Sequence, residues 1–325
     1  MEVTYTHCAG LDVHKKTVVA CCMTPGINID RALTKMTPLL FTSLGVLVAL
    51  RAGQFNIGGE GQIYLGALGS TLIGLYVQGL PAVIHIPLAL LAGFLFGAVW
   101  GWIPGYLKAI RGVNEVITTL LLNYIAVNLV SYLVQNPLMA TGAPSPYSPL
   151  IAKTAQLPII LPQSLAHAGI LFGLIAAGIL WVLLVRSPLG YQITAVGFNP
   201  IAARYAHISV EHTIMLVMAA AGGLAGLAGS CEVMGLKYRL FEQVSPGYGF
   251  DAIAIAFLSR GSVVGVVLTS LFFAALRSGA NVMQRSAGVP VTVVYAIQGF
   301  MVLFIAISFA VEREIRVKTQ RDAKV

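Results

Sequence analysis

The chain has 325 residues, 57% of them hydrophobic and 10% charged, and its mean hydropathy is +0.84. A soluble domain carries about 25% charged residues to keep its surface solvated, so the composition excludes one and fits a protein surrounded by lipid. The net charge of +8 does not mark a nucleic-acid binder, because the basic residues are scattered between apolar runs and form no stripe. Cys8, Cys21, Cys22 and Cys231 make no CxxC or Cys/His spacing, so no disulfide framework, metal site or cofactor is expected.

Residues 1–26 stand apart from the rest. A signal peptide is excluded, since His14-Lys15-Lys16 interrupts any apolar core and Val18–Met23 is too short to span. The segment Ala9-Gly10-Leu11-Asp12-Val13-His14-Lys15-Lys16 resembles the opening strand of IS110-type insertion-sequence transposases. There a Gly-x-Asp-Val-x-Lys strand carries the first metal-binding carboxylate of an RNase H-like domain, which implies that role for Asp12. A lone carboxylate cannot support two-metal chemistry. The leader is therefore read as a fusion scar without transposase activity, an ordinary hydrophilic leader being the other reading.

A spanning helix needs about 20 mostly apolar residues, with its backbone polar groups paired internally. The segments 61–79, 83–107, 114–134, 168–185, 209–230 and 290–311 meet this pattern. The run 38–50 is short and ends at Arg51-Ala52-Gly53. The stretch 250–276 is broken by Ser259-Arg260-Gly261-Ser262 and reads as two short helices joined by a turn. The expected fold is all-α, a polytopic transmembrane bundle of about nine segments within residues 27–311, followed by a basic tail at 312–325.

Lys and Arg set the orientation. With 108–113, 186–208 and 312–325 in the cytoplasm, Arg51, Lys108, Arg111, Arg186, Arg204, Arg260 and the basic tail fall inside. Lys153, Lys237, Arg239, Arg277 and Arg285 fall outside. The proline-rich loop 135–167 then lies outside and is expected to be extended.

Three segments carry candidate function. In Phe55-Asn56-Ile57-Gly58-Gly59-Glu60-Gly61-Gln62, three glycines are set among Asn56, Glu60 and Gln62 between two apolar runs. Two readings stand: unwound backbone lining a cavity, where an ionisable Glu60 must be paired or wet, or a plain cytoplasmic turn. In the second segment, Glu115, Thr119 and Asn123 stack at i, i+4 and i+8 with Asn114 and Thr118 beside them, giving one polar face. Each residue alone suits a helix–helix hydrogen bond, whereas the stripe together points to a substrate pathway. In the third, Asn199 suits an N-cap and Pro200 the first helical turn, so a short helix begins there with Ile201, Ala202 and Tyr205 as its apolar face and Arg204 as its charge. It reads as a cytoplasmic docking knob or as a surface helix without a partner.

Fainter signals are small-residue spacing at Gly222 and Gly226, suited to close helix packing, and polar Asp251 and Gln298 near apolar runs. No P-loop pattern is present, so ATP is not bound by such a motif.

Together the segments resemble the permease subunits of ABC importers for nucleosides and simple sugars. The marks are Arg51-Ala52-Gly53-x-Phe55-Asn56-Ile57-Gly58-x-Glu60-Gly61-Gln62, Gly112-Val113-Asn114-Glu115-Val116-Ile117-x-Thr119-Leu120 and Ala195-Val196-Gly197-x-Asn199-Pro200-x-Ala202-Ala203-Arg204-Tyr205. Asp251-x-Ile253-Ala254 and Gln298-Gly299 complete them. The resemblance implies a bacterial inner (plasma) membrane protein that is not itself an enzyme. Its expected partners are a second permease subunit, a cytoplasmic ABC ATPase, an extracytoplasmic solute-binding protein and the lipid bilayer, with no nucleic acid. It implies a substrate pathway at Asn56, Glu60, Gln62, Asn114, Glu115, Thr119 and Asn123, and ATPase coupling through Gly197, Asn199, Pro200, Ala203 and Arg204. One departure stands out: the family has a further spanning helix where this chain has its leader. Two alternatives follow, an ion-coupled secondary transporter and an inactive fusion product lacking its first helix.

Overall fold

The computed structural model describes residues 28–160 and 164–287, with isolated positions 292–293, 296 and 299–300 beyond them. The chain divides into two compact units, Asp30–Ala274 and Met1–Ile29 with Ala275–Val325. In chain order the described helices are α1 (Asn28–Arg51), α2 (Gly59–Tyr76), α3 (Ala82–Arg111), α4 (Glu115–Gln135), α5 (Gly169–Arg186), α6 (Pro188–Phe198), α7 (Pro200–Tyr205), α8 (Val210–Glu232), α9 (Tyr248–Leu258) and α10 (Val263–Ala287). A π-helical stretch, Val233–Lys237, continues α8.

Six of these are long and apolar enough to cross a membrane: α1 from Ile29, α3, α4, α5, α8 with its π extension, and α10 over Val263–Ala280. The expected count of about nine is not confirmed. Segment 290–311 lies, apart from isolated positions, outside the described residues, as do the leader and the basic tail. The helices α2 and α9 are not among the six spans. The broken stretch 250–276 resolves into an 11-residue α9 and a long α10 rather than two short helices.

The short run 38–50 is also corrected, because α1 starts ten residues earlier and passes through Pro38. A proline inside a helix removes one hydrogen bond and normally breaks it. Here packing of the residues around the proline holds the helix, and the hydroxyls of Thr34, Thr37 and Thr42 donate back to the carbonyls of Asp30, Leu33 and Pro38 at 2.8, 3.2 and 2.8 Å. Asp30 stands in the first turn, where its charge suits the helix dipole. Leu39, Leu40, Phe41, Leu44 and Leu47 are fully buried.

Fourteen of the eighteen residues of α2 are buried, Glu60 and Gln62 among them. A helix enclosed by protein has no lipid to satisfy and tolerates polar residues that a spanning helix would not. Its walls include α3 and α8, which cross antiparallel along a run of small residues. Gly93 faces Ser230, Gly97 faces Gly222 and Gly226, and Gly101 and Gly105 face Met218. A Cβ at Gly97 would collide with the Gly222 carbonyl, and one at Gly66 of α2 would strike Gly226. Backbones this close leave room only for hydrogen, the usual basis of helix association where lipid supplies no hydrophobic drive.

One end of Asp30–Ala274 gathers basic residues. Arg51 donates from Nη2 and Nε to the carbonyl of Gly261 at 2.7 and 3.2 Å, joining the end of α1 to the α9–α10 turn. Lys108 pairs with Glu115 at 2.8 Å across the α3–α4 turn. At the opposite end the loop between α4 and α5 consists, in its described residues, of turns, bends and irregular backbone, with a 3₁₀ turn at Lys153–Ala155. It is stitched to the segment after α8: Leu157 N–H donates to Met234 O, Ile151 N–H to Tyr238 O and Ser148 N–H to Leu240 O.

His167 closes this loop. Its ring is buried against Gly235, and Nδ1 accepts the Gly169 N–H at 3.2 Å. Burial lowers its pKa from 6.5 to about 4. Between those values the unfolded chain binds the proton and the folded one does not, so stability is complete above pH 6.5 and declines as pH falls towards 4. The purified protein should lose up to about 1.4 kcal/mol per pH unit in that window. A thermal-unfolding series from pH 7 to 5 measures this, and His167→Asn should flatten it.

Candidate functional site

After Arg51 the chain turns at Ala52-Gly53 and runs back into the protein as a short re-entrant segment without regular secondary structure. Phe55 packs on Phe257 near the end of α9, with ring centroids 5.5 Å apart, and four residues later Gly59 meets Gly249 at the start of α9. Those two α9 positions are about 12 Å apart along the helix, so α2 begins well inside the bundle, beside Thr42 of α1. The segment Phe55–Gln62 is therefore not a plain surface turn.

Two broken helices, α2 and α9, start at this depth, and Glu60 joins them. Its Oε2 accepts the Gly249 N–H at 2.8 Å and its Oε1 the Gly247 N–H at 3.3 Å. The carboxylate lies in the first turn of α2 and against the first turn of α9, so it meets the positive ends of both dipoles. Ser245 Oγ accepts from Gly247 N–H and Tyr248 N–H at 3.2 and 3.0 Å, completing the cap of α9. Asp251 falls in the same first turn, while Gln298 lies outside the described residues.

The stripe on α4 closes over the re-entrant segment. Asn123 Nδ2 donates to Ile57 O at 2.8 Å and its Oδ1 accepts Gly61 N–H at 2.8 Å. Thr119 Oγ1 accepts Ile57 N–H at 3.3 Å. Asn56 and Gln62 bond each other through Nδ2–Oε1 at 3.0 Å and Nε2–Oδ1 at 3.3 Å, and Asn56 Oδ1 also accepts Gly58 N–H at 2.9 Å. Unwound backbone at membrane depth must find partners within the protein, and these side chains supply them. Asn56, Glu60, Gln62, Thr119 and Asn123 are all buried. Asn114 and Glu115 stand apart from this cluster: Asn114 caps α4 through Val116 N–H at 2.9 Å, and Glu115 pairs with Lys108.

The third segment sits at the basic end. Asn199 Oδ1 accepts Ile201 N–H and Ala202 N–H at 3.0 and 3.1 Å, Pro200 opens α7, and Ala203 is buried beneath it. Arg204 pairs with Glu211. Phe198 and Tyr205 are 88% and 84% exposed and Ile201 stands out beside them. Gly197 lies directly on the carbonyl of Arg51, where a side chain would collide, and faces Gly53. The stub therefore rests on the turn that feeds the re-entrant segment.

Sequence reasoning missed the length of the glycine row on α3 and a second polar row on α4, Asn128, Ser131 and Gln135. Their spacing of three and four is the same signal that picked out Thr119 and Asn123. It also gave Glu60 no partner, because Gly247 and Gly249 are distant in sequence and donate through backbone.

An apolar bundle holding two broken helices nose to nose, with an exposed stub at one end, defines a multi-pass membrane transport subunit. The chain belongs to the family described as the branched-chain amino acid transport system permease component, which matches residues 28–306. It is similar to the guanosine ABC transporter permease protein NupP of Bacillus subtilis, 38% identical over 288 residues, covering 87% of this chain and 82% of that protein. The glucose ABC transporter permease protein TsgB13 of Haloferax volcanii is 38% identical over 296 residues, covering 88% and 78%. The nucleoside ABC transporter permease protein NupB of Lactococcus lactis is 34% identical over 296 residues, covering 88% and 80%. No solved structure gives a significant match.

Proposed function

We propose that this chain is the membrane-spanning permease subunit of an ATP-driven importer in a bacterial inner (plasma) membrane, moving nucleosides or simple sugars through a cavity between two permeases. The observation that carries the reading is likeness over most of the chain to permeases named for guanosine, glucose and nucleosides. A separate ABC ATPase hydrolyses ATP, a solute-binding protein delivers the substrate, and no cofactor takes part. The basic end faces the cytoplasm, in keeping with Arg51, Lys108, Arg111, Arg186, Arg204 and Arg260. Residues 1–26 lie outside the family match, which begins at residue 28, and in this scheme they are a transposase-like fusion scar, a reading that rests on the likeness at Ala9–Lys16 alone.

In this scheme Gly197, Asn199, Pro200, Ala203 and Arg204 form the ATPase-coupling stub, with Phe198 and Tyr205 as its contact face. Asn56, Glu60, Gln62, Thr119 and Asn123 shape the pathway by holding the broken helices, and Asn114 and Glu115 fix its cytoplasmic rim. The test is co-purification of an ATPase with the detergent-extracted chain, together with ATP-dependent uptake of guanosine or glucose in proteoliposomes. Phe198→Asp, at an exposed position, should leave the permease folded while lowering ATPase recovery and uptake at least tenfold. An unchanged complex would remove the stub from the interface.

A further inference from the structure

The buried stripe on α4 leaves open which residues a solute would touch, and the exposed flank of the same helix offers an answer. Tyr124, Asn128, Ser131 and Gln135 are spaced by four, three and four residues, within about 60° of arc on one face. Tyr124 is 65% exposed, and Asn128 and Gln135 are exposed with it. Asn128 lies about 20 Å along α4 from Glu115, within the depth of a hydrocarbon core about 30 Å thick. Its Nδ2 donates to Tyr124 O at 2.7 Å, and its Oδ1 accepts no bond among the described residues. A carboxamide at that depth is costly against lipid and is normally found facing protein or a water-filled path.

The segment leading from α8 to α9 adds a charge to this row. Glu242 Oε1 accepts from Ser131 Oγ at 2.7 Å and from Gln135 Nε2 at 3.0 Å. Gln135 Nε2 also donates to Ser131 Oγ at 3.1 Å. These bonds fix the group and leave Glu242 Oε2 and Gln135 Oε1 without a donor among the described residues. Closer to the basic end the same flank turns apolar, with Ile117, Leu120 and Leu121 exposed. The row thus has a polar mouth at the end opposite the stub and an apolar floor.

Resting on the import reading above, the geometry points to a substrate subsite formed by Tyr124, Asn128, Gln135 and Glu242, which takes an uncharged solute bearing vicinal hydroxyls. Hydroxyls donate to the open oxygens of Asn128, Gln135 and Glu242, the Tyr124 ring offers a flat apolar face, and the Glu242 charge repels phosphorylated forms of the same solute. Guanosine and glucose both carry such hydroxyls.

The test uses the whole transport complex reconstituted in proteoliposomes, with Cys8, Cys21, Cys22 and Cys231 replaced by serine. Asn128→Cys should react with a membrane-impermeant methanethiosulfonate applied from the side opposite the ATPase. Guanosine or glucose in excess should slow that reaction at least fivefold. Glu242→Gln should raise the KM of uptake about tenfold and keep Vmax within twofold, a split that a purely structural role would not produce. A complex that imports solute while Asn128→Cys stays unreactive, covered by a second permease or by lipid, overturns the subsite alone. Equal labelling with and without both solutes overturns it too. Absence of ATP-dependent uptake by the unsubstituted complex overturns the import reading instead.

Discussion

Gly97→Leu should yield no folded permease: the detergent-extracted chain elutes as aggregate and ATP-dependent uptake falls to background. At this position even a Cβ would collide with the carbonyl of Gly222 and lie 2.8 Å from the Cα of Gly226. Backbone atoms cannot rotate aside as a side chain can, so α3 and α8 must separate along their length. Separation would also open contacts at Gly93–Ser230 and Gly101–Met218, and α2 rests against the same region of α8 through Gly66 and Gly226. Overpacking in a tight core costs about 1–3 kcal/mol when neighbours can adjust. Three elements meeting through backbone raise the leucine variant beyond that range, to the order of the whole stability of a domain. Gly97→Ala falls between, with a lowered unfolding temperature and residual uptake. Gly178→Leu is the control, since nothing lies within 4 Å of a Cβ there and its elution should match the parent. A monodisperse, active Gly97→Leu would show that the two helices do not depend on this contact.

The extents of α3, α4, α5 and α8 were legible because each is a long apolar run, and composition alone separates such runs from soluble helices. The cap at Asn199 was legible because an Asn-Pro pair fixes both the cap and the first turn. Pro38 misled, since proline reads as a boundary in an isolated sequence, while burial of Leu39, Leu40 and Phe41 beside it holds α1 in one piece. An apolar run reports burial without saying whether protein or lipid does the burying. The helix α2, buried on nearly all sides, is where that ambiguity bites. At the site, helical spacing put Thr119 and Asn123 on one face, yet it could not reveal that their partners are Ile57 and Gly61. Those bonds run to backbone, and backbone partners leave no mark in residue identity.

Glu60→Ala should reduce uptake below about 1% of the parent, with the loss traceable to the start of α9. The first N–H groups of a helix have no partner within it, and here two of them, on either side of Tyr248, are met by one buried carboxylate. Bonds to a charged acceptor contribute about 1.5–3 kcal/mol each, so the alanine forfeits roughly 3–6 kcal/mol, enough to unwind a first turn. Hydrogen exchange read by mass spectrometry should show protection falling over Tyr248–Asp251 while the α3 amides stay protected. Glu60→Gln separates charge from shape. It keeps one oxygen to accept a bond and loses the anion that suits both helix ends, so it should retain most of the protection and lose about tenfold in uptake. A carboxylate that served chiefly as a solute ligand would give the opposite pattern, with uptake lost and the amides of α9 unchanged in both variants. Full protection in Glu60→Ala would therefore dismiss the shared cap, because the Ser245 hydroxyl would then be sufficient to hold α9 alone.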